Sequence, residues 1–198
     1  MLEIQGLPVP RTLPELISHR HTALIVYDMQ VGIVRQIADG TQIVKKVGTV
    51  LHATRQAGIP TFFTRHMSLP KNLMGAFQYR MAMAWQKTDD PENVQSWFLR
   101  DTPSFQIVPE LQPNDREAVF DKLSMSAFEG TPLDFALRDY GIRSFLIAAS
   151  RSKSASNRPA ATPPILASFP SSSATPVALA VPKLRSTLSP ASSTSEIR

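Results

Sequence analysis

The chain contains no cysteine. That excludes a disulfide framework, a thiolate metal site and a cysteine nucleophile. It also lacks any apolar run of the roughly 18 residues needed to span a membrane. The first twenty residues have no apolar centre of the signal-peptide type, so a soluble, cytoplasmic protein is expected. Glycine is scarce, and all eight glycines precede residue 142. One absence concerns charge. The net charge of +5 suggests nucleic acid, but residues 150–198 hold six basic residues and one acid, which leaves 1–149 balanced. The basic tail has Phe169 as its one aromatic residue, so it lacks the stacking platforms of a single-strand binder. Neither nucleic acid nor membrane is an expected partner.

What is present is a run of buried-strand patterns. Ala23–Tyr27 is continuously apolar and ends on Asp28. A strand buried on both faces of a parallel sheet reads this way. It delivers a carboxylate to the carboxyl edge, where ligands bind in open α/β sheets. A buried carboxylate needs compensation, and Lys122 is the best candidate cation. The two are expected at the carboxyl ends of adjacent strands, with side-chain N and O within about 4 Å or bridged by one water.

Around that strand the order is β-α-β-insert-β-α-β, which indicates a parallel sheet. Residues 1–20 read as an irregular arm, because Pro8, Pro10 and Pro14 limit helix. Gly32–Ile37 begins a turn. Thr41 can cap a helix from about Gln42 to Ala57, closed by Gly58. Ile59–Thr64 reads as a second strand, Ala118–Asp121 as a third and Ser144–Ala149 as a fourth, with a helix over Pro132–Tyr140 ended by Gly141. Residues 66–112 carry both tryptophans and are longer than an ordinary connection, so they are expected to cover the Asp28 edge or a second subunit. Residues 150–198 hold thirteen Ser, seven Pro and no Gly, without either period. They read as an irregular Ser/Pro/Ala-rich tail after a domain of residues 1–149.

Several motifs occur together and in order: YDMQ at 27–30, RHMSLP at 65–70, RMAMAWQ at 80–86, FDKLSMSAFEGTPL at 120–133 and SFLIAA at 144–149. Together they resemble the isochorismatase-like hydrolases, a superfamily that includes nicotinamidases and other amide hydrolases. The resemblance covers about residues 20–149. It implies a three-layer, Rossmann-like α/β fold with helices on both faces of the sheet. It also implies that the C-terminal part is incomplete here, because the family's remaining strand–helix units do not follow residue 149. Read one base out of register, the serine codons of Phe169–Val177 report apolar residues and the sequence becomes a buried strand ending on an acid. A shifted reading frame near Ala149 is the preferred explanation, and a natural Ser/Pro tail is the alternative.

The resemblance assigns Asp28 as general acid or base and Lys122 as its electrostatic partner. Gln30, Arg65, His66, Trp85 and Phe128 are the expected substrate-binding residues. Most of the superfamily attacks a carbonyl carbon with a cysteine, at a position that falls near Ala155 here; the restored frame gives glycine there. Members with glycine resemble the isochorismatase proper, which needs an acid to protonate a vinyl ether and expel pyruvate. No cofactor is expected. No metal is expected either, because the metal-binding relatives place an Asp two residues before the histidine, where this chain has Thr64. The expected function is hydrolysis of a small carboxylate-bearing vinyl ether or amide, in a homo-oligomer. The alternative is an inactive binding or assembly protein with the same fold.

Overall fold

The computed structural model describes residues 2–150 and 177–180. The centre of the molecule is a five-stranded sheet in the order β5-β4-β3-β6-β7. Its strands are β3 (Thr22–Tyr27), β4 (Thr61–His66), β5 (Ala118–Lys122), β6 (Ser144–Ala149) and β7 (Val177–Ala180). The first four are mutually parallel, and β7 runs antiparallel to β6. The parallel α/β sheet expected from the sequence is therefore present, with one antiparallel edge strand added.

The central strand β3 is apolar on both faces because both faces are covered. Leu24 and Val26 pack with Val44, Val47 and Leu51 of α3 (Gly40–Gln56) and with Leu111. Ala23 and Ile25 pack with Leu133 and Leu137 of α5 (Leu133–Asp139) and with Phe145. Ala23 through Val26 are all 0% exposed, which is why no polar residue interrupts the run. The next strand in sequence, β4, lies on one side of β3, and β6 lies on the other. The connection direction thus reverses at β3, and the crevice at its carboxyl end is the general ligand position of such sheets.

Several boundaries differ from the sequence reading, each for a local reason. Residues 2–9 form a hairpin rather than an irregular arm. Its strands are β1 (Leu2–Ile4) and β2 (Leu7–Val9). Gln5 and Gly6 between them both have positive φ, 52° and 75°, as a two-residue hairpin turn requires. A single helical turn, α1 (Leu13–Leu16), follows with Pro14 in its first turn. The Gly32 segment is a short helix, α2 (Val31–Val34), and α3 starts at Gly40 with Asp39 as its cap rather than Thr41. The α2–α3 corner needs glycine: a Cβ on Gly40 would stand 2.4 Å from the Val34 carbonyl oxygen. The second strand starts at Thr61, since Pro60 cannot donate to a ladder, and it runs on to His66 because β5 pairs with it as far as Lys122.

The insertion is built from α4 (Ala76–Gln86) and three short 3-10 turns. It folds back onto the end of β3. Val31 N–H donates to the Gln106 carbonyl and Val108 N–H to the Met29 carbonyl, at 2.9 and 3.0 Å. Phe105, Ile107, Val108 and Leu111 are buried there, and Trp85 and Trp97 are half-buried. The expected irregular tail lies outside the described residues except at β7. That short strand pairs with β6, whose outer backbone groups would otherwise form an open edge.

Candidate functional site

Asp28 directly follows β3, and its backbone is left-handed, with φ at 50°. A non-glycine residue in that region is strained, and aspartate is among the few that tolerate it. The turn aims the carboxylate across the strand ends. Thr64 Oγ1 donates to Oδ1 at 2.7 Å, and Lys122 Nζ donates to Oδ2 at 2.7 Å. Contrary to expectation, the lysine does not come from a strand adjacent to β3; β4 separates β5 from β3. Its long side chain spans the end of β4, and Thr64 of β4 fills the space below. Lys122 is held further by the Ser124 carbonyl at 3.1 Å and by the Tyr27 ring, whose centroid lies 4.4 Å from Nζ. The Tyr27 hydroxyl donates to the Met125 carbonyl and so ties down the loop after β5.

The pair is dry. The side chain of Lys122 is 0% exposed and that of Asp28 9%. Burial therefore pushes the Asp28 carboxyl above its ordinary range, while Lys122 and the Thr64 hydroxyl pull in the opposite direction. Burial also raises the Tyr27 phenol, with the Asp28 charge adding to the effect. A carboxyl whose affinity for a proton is raised by burial, beside a cation that receives the carboxylate once the proton leaves, can run acid–base chemistry.

The other expected residues divide. His66 ends β4 on the same face as Lys122 and is 2% exposed. Its ring makes edge contacts with Trp85 at 5.0 Å and with Phe98 at 5.7 Å. Gln30 is also close but wholly engaged. Its Nε2 donates to the His66 and Phe105 carbonyls, and its Oε1 accepts from the His66 N–H at 2.6 Å. It ties the end of β3 to the end of β4 and to the insertion. Arg65 points the other way, because side chains alternate along a strand. Its guanidinium pairs with Asp121 at 2.8 Å and lies 4.2 Å from the centroid of the Phe105 ring. Phe128 is 38% exposed and tilts against Phe145. The structure therefore gathers Asp28, Lys122, Gln30, His66 and Trp85 near one edge, but not Arg65 or Phe128. Ala155, near the family's nucleophile position, lies outside the described residues. Among the described residues no group of three or more His, Cys, Asp or Glu side chains comes together to hold a metal.

Thr64 and Tyr27 were missed as site residues. Tyr27 stands inside the YDMQ motif, where its ring reads as strand core. Thr64 stood out only as the wrong residue for a metal, and its bond to Asp28 needed the strand register to be visible.

His66 gives a pH prediction. Burial, with the Lys122 charge adding to it, lowers its pKa from 6.5 to about 4, and the Ser124 backbone acts in the opposite sense. Between those two values the unfolded chain binds the proton and the folded chain does not. Stability should therefore fall as pH drops through that window, by roughly 3 kcal/mol in all. Urea midpoints at pH 7 and pH 4.5 for the wild type and His66→Gln check this. The wild type should lose more than the variant. Equal losses would show that His66 is not buried neutral.

Comparison with known proteins gives one consistent answer. The isochorismatase domain model matches residues 22–148. No curated protein matches significantly. Among solved structures, a cysteine hydrolase from Pseudomonas syringae pv. phaseolicola 1448A superposes with a TM-score of 0.57 at 23% identity, over 74% of this chain and 66% of that one. An isochorismatase family protein from Desulfovibrio vulgaris subsp. vulgaris str. Hildenborough gives 0.54 at 23% identity, over 66% and 67%. N-carbamoylsarcosine amidase from Thermoplasma acidophilum gives 0.53 at 20% identity, over 65% and 67%. The chain thus spans about two thirds of the length of each structure, and these similarities establish the fold. With the matched region running from the first residue of β3 to the penultimate residue of β6, and Asp28 and Lys122 paired at the carboxyl edge of the sheet, the chain belongs to the isochorismatase family.

Proposed function

We propose that the protein is a hydrolase acting on a small carboxylate-bearing vinyl ether or amide, with Asp28 as the proton carrier. The buried pair of Asp28 and Lys122, at 2.7 Å on the carboxyl edge of the sheet, carries this reading. A thioester route is closed, because the chain has no thiol. A vinyl ether needs none. A protonated Asp28 donates its proton to the terminal vinyl carbon, and the ether carbon becomes an oxocarbenium. Water adds to that carbon, and the hemiketal collapses to pyruvate and an alcohol. The carboxylate left behind is met by Lys122 and Thr64. Proton donation of this kind typically contributes about 10²–10⁴-fold in rate. Among the expected binding residues, the contact of His66 with Trp85 at 5.0 Å supports a role for both in lining the site, and Gln30 holds that edge in place.

The test is turnover by the full chain. Pyruvate release from carboxylate-bearing enol ethers and ammonia release from carboxylate-bearing amides should be followed with and without N-ethylmaleimide. The expected result is pyruvate release that the thiol reagent does not change. Binding without turnover of either class would favour the second reading, an inactive binding or assembly protein. The lack of a thiol supports that reading too.

A further inference from the structure

Thr64 meets Asp28 at three points. The Asp28 N–H donates to the Thr64 carbonyl at 3.1 Å and also to the Thr64 hydroxyl oxygen, Oγ1, at 3.3 Å. The same hydroxyl donates to Asp28 Oδ1 at 2.7 Å. Thr64 is 0% exposed, so bulk water does not compete for these contacts. A hydroxyl proton ordinarily rotates to suit its neighbours. Here the Asp28 amide occupies a lone pair of Oγ1, which leaves the proton to point at Oδ1. Thr64 is thus a donor with a fixed direction.

The two oxygens of Asp28 are therefore unlike. Oδ2 accepts from Lys122 Nζ, a full positive charge, at 2.7 Å. Oδ1 accepts from a neutral hydroxyl. Charge-assisted hydrogen bonds are roughly twice as strong as neutral ones. A protonated carboxyl keeps one good acceptor, its carbonyl oxygen, and the charged donor claims it. The proton then belongs on Oδ1, where it weakens the bond from Thr64. Losing the proton restores that bond. Lys122 keeps its place in both states, held by the Ser124 carbonyl and the Tyr27 ring. Thr64 is the group whose bond changes as the proton leaves.

We infer that Thr64 is a positioning residue that keeps the transferable proton on Asp28 Oδ1 and sets how readily it is given up. The inference rests on the proposed function and deepens it. On transfer the Oδ1–H bond breaks, its electron pair stays on Oδ1, and the proton goes to the terminal vinyl carbon of the substrate. Burial holds the proton on Asp28, and Lys122 and Thr64 both oppose it. Among the described residues, Lys122 of β5, Tyr27 of β3 and His66 of β4 are the charged or titratable groups that act on the pair or on one another there.

Carbon-13 NMR of the Asp28 carboxyl in the full chain follows its titration in the wild type, Thr64→Val and Thr64→Ser. Asp28→Asn assigns the signal, and the series is repeated in His66→Gln so that protonation of the imidazole is not mistaken for that of the carboxyl. Valine matches threonine in shape and lacks the hydroxyl. It should raise the midpoint by about one pH unit, a tenfold gain in proton affinity. Serine restores the hydroxyl and should return the midpoint to the wild-type value. A midpoint that valine leaves unmoved, or that serine does not bring back, would overturn the assignment. The wild type alone decides where the valine variant does not fold: the Thr64 hydroxyl proton should move to higher field as Asp28 is protonated. A hydroxyl signal that stays in place would put the proton on Oδ2 and sink the inference. In turnover, Thr64→Val should lower kcat for pyruvate release, leave KM nearly unchanged and carry the alkaline limb of the rate profile to higher pH. A raised KM with an unmoved limb would contradict this. A chain that titrates as expected but turns nothing over keeps the role of Thr64 and loses the proposed function. An active chain with an unmoved midpoint loses the role of Thr64 alone.

Discussion

Replacing Lys122 by methionine should cost about 3–5 kcal/mol of stability, the range for removing one partner of a buried ion pair. The substitution preserves much of the side-chain volume and leaves Asp28 facing an apolar neighbour in a dry site. The loss has an upper bound, since Asp28 can take up a proton and burial already favours that form. Asp28→Asn leaves the opposite problem: the lysine, 0% exposed, keeps its charge without a counter-ion. The double variant should therefore lose less than the sum of the two, with a coupling of about 2 kcal/mol or more. A surface pair is the control. Lys71 reaches Glu92 at 3.4 Å, but the glutamate is 87% exposed, so Lys71→Met should change stability by about 0.5 kcal/mol or less. Urea unfolding of the four chains in the cycle measures the coupling. A value near zero would mean that the two groups do not meet in solution.

The sheet was legible because its strands are short apolar runs punctuated by glycine and proline. Ser144–Ala149 and the body of the Ala118–Lys122 strand were readable to within a residue, since burial on both faces leaves few polar interruptions. The hairpin at residues 2–9 was not, because prolines masked the Gln5–Gly6 turn that makes it. Nor was β7, whose pairing depends on the open edge of β6 rather than on any period of its own. Asp28 and Lys122 could be named from motif and position. Their geometry could not, because it depends on a lysine side chain spanning an intervening strand. The separation of Arg65 from His66 follows from alternation, but which face carries the site appears only once β5 is in register with β4. Gln78 has no sequence signal; its burial and its bond to the Leu69 N–H appear only once the insertion is folded.

The largest effect on activity should come from Asp28→Asn. The amide nearly matches the carboxyl in shape, but its one oxygen can replace only one of the two acceptors that Thr64 and Lys122 use, and it has no carboxylic proton to give. Any pyruvate-releasing activity should fall by about 10²–10⁴-fold, the usual worth of a positioned acid. Affinity for the intact substrate should change far less, because the amide keeps the shape of the carboxyl. Side by side, the rate of pyruvate release by the wild type and by Asp28→Asn, under conditions where the variant is folded, tests the central claim most directly. A loss of at least a hundredfold with binding retained is the expected result. Activity within tenfold of wild type would contradict the assignment of Asp28 and return the pair to a structural role.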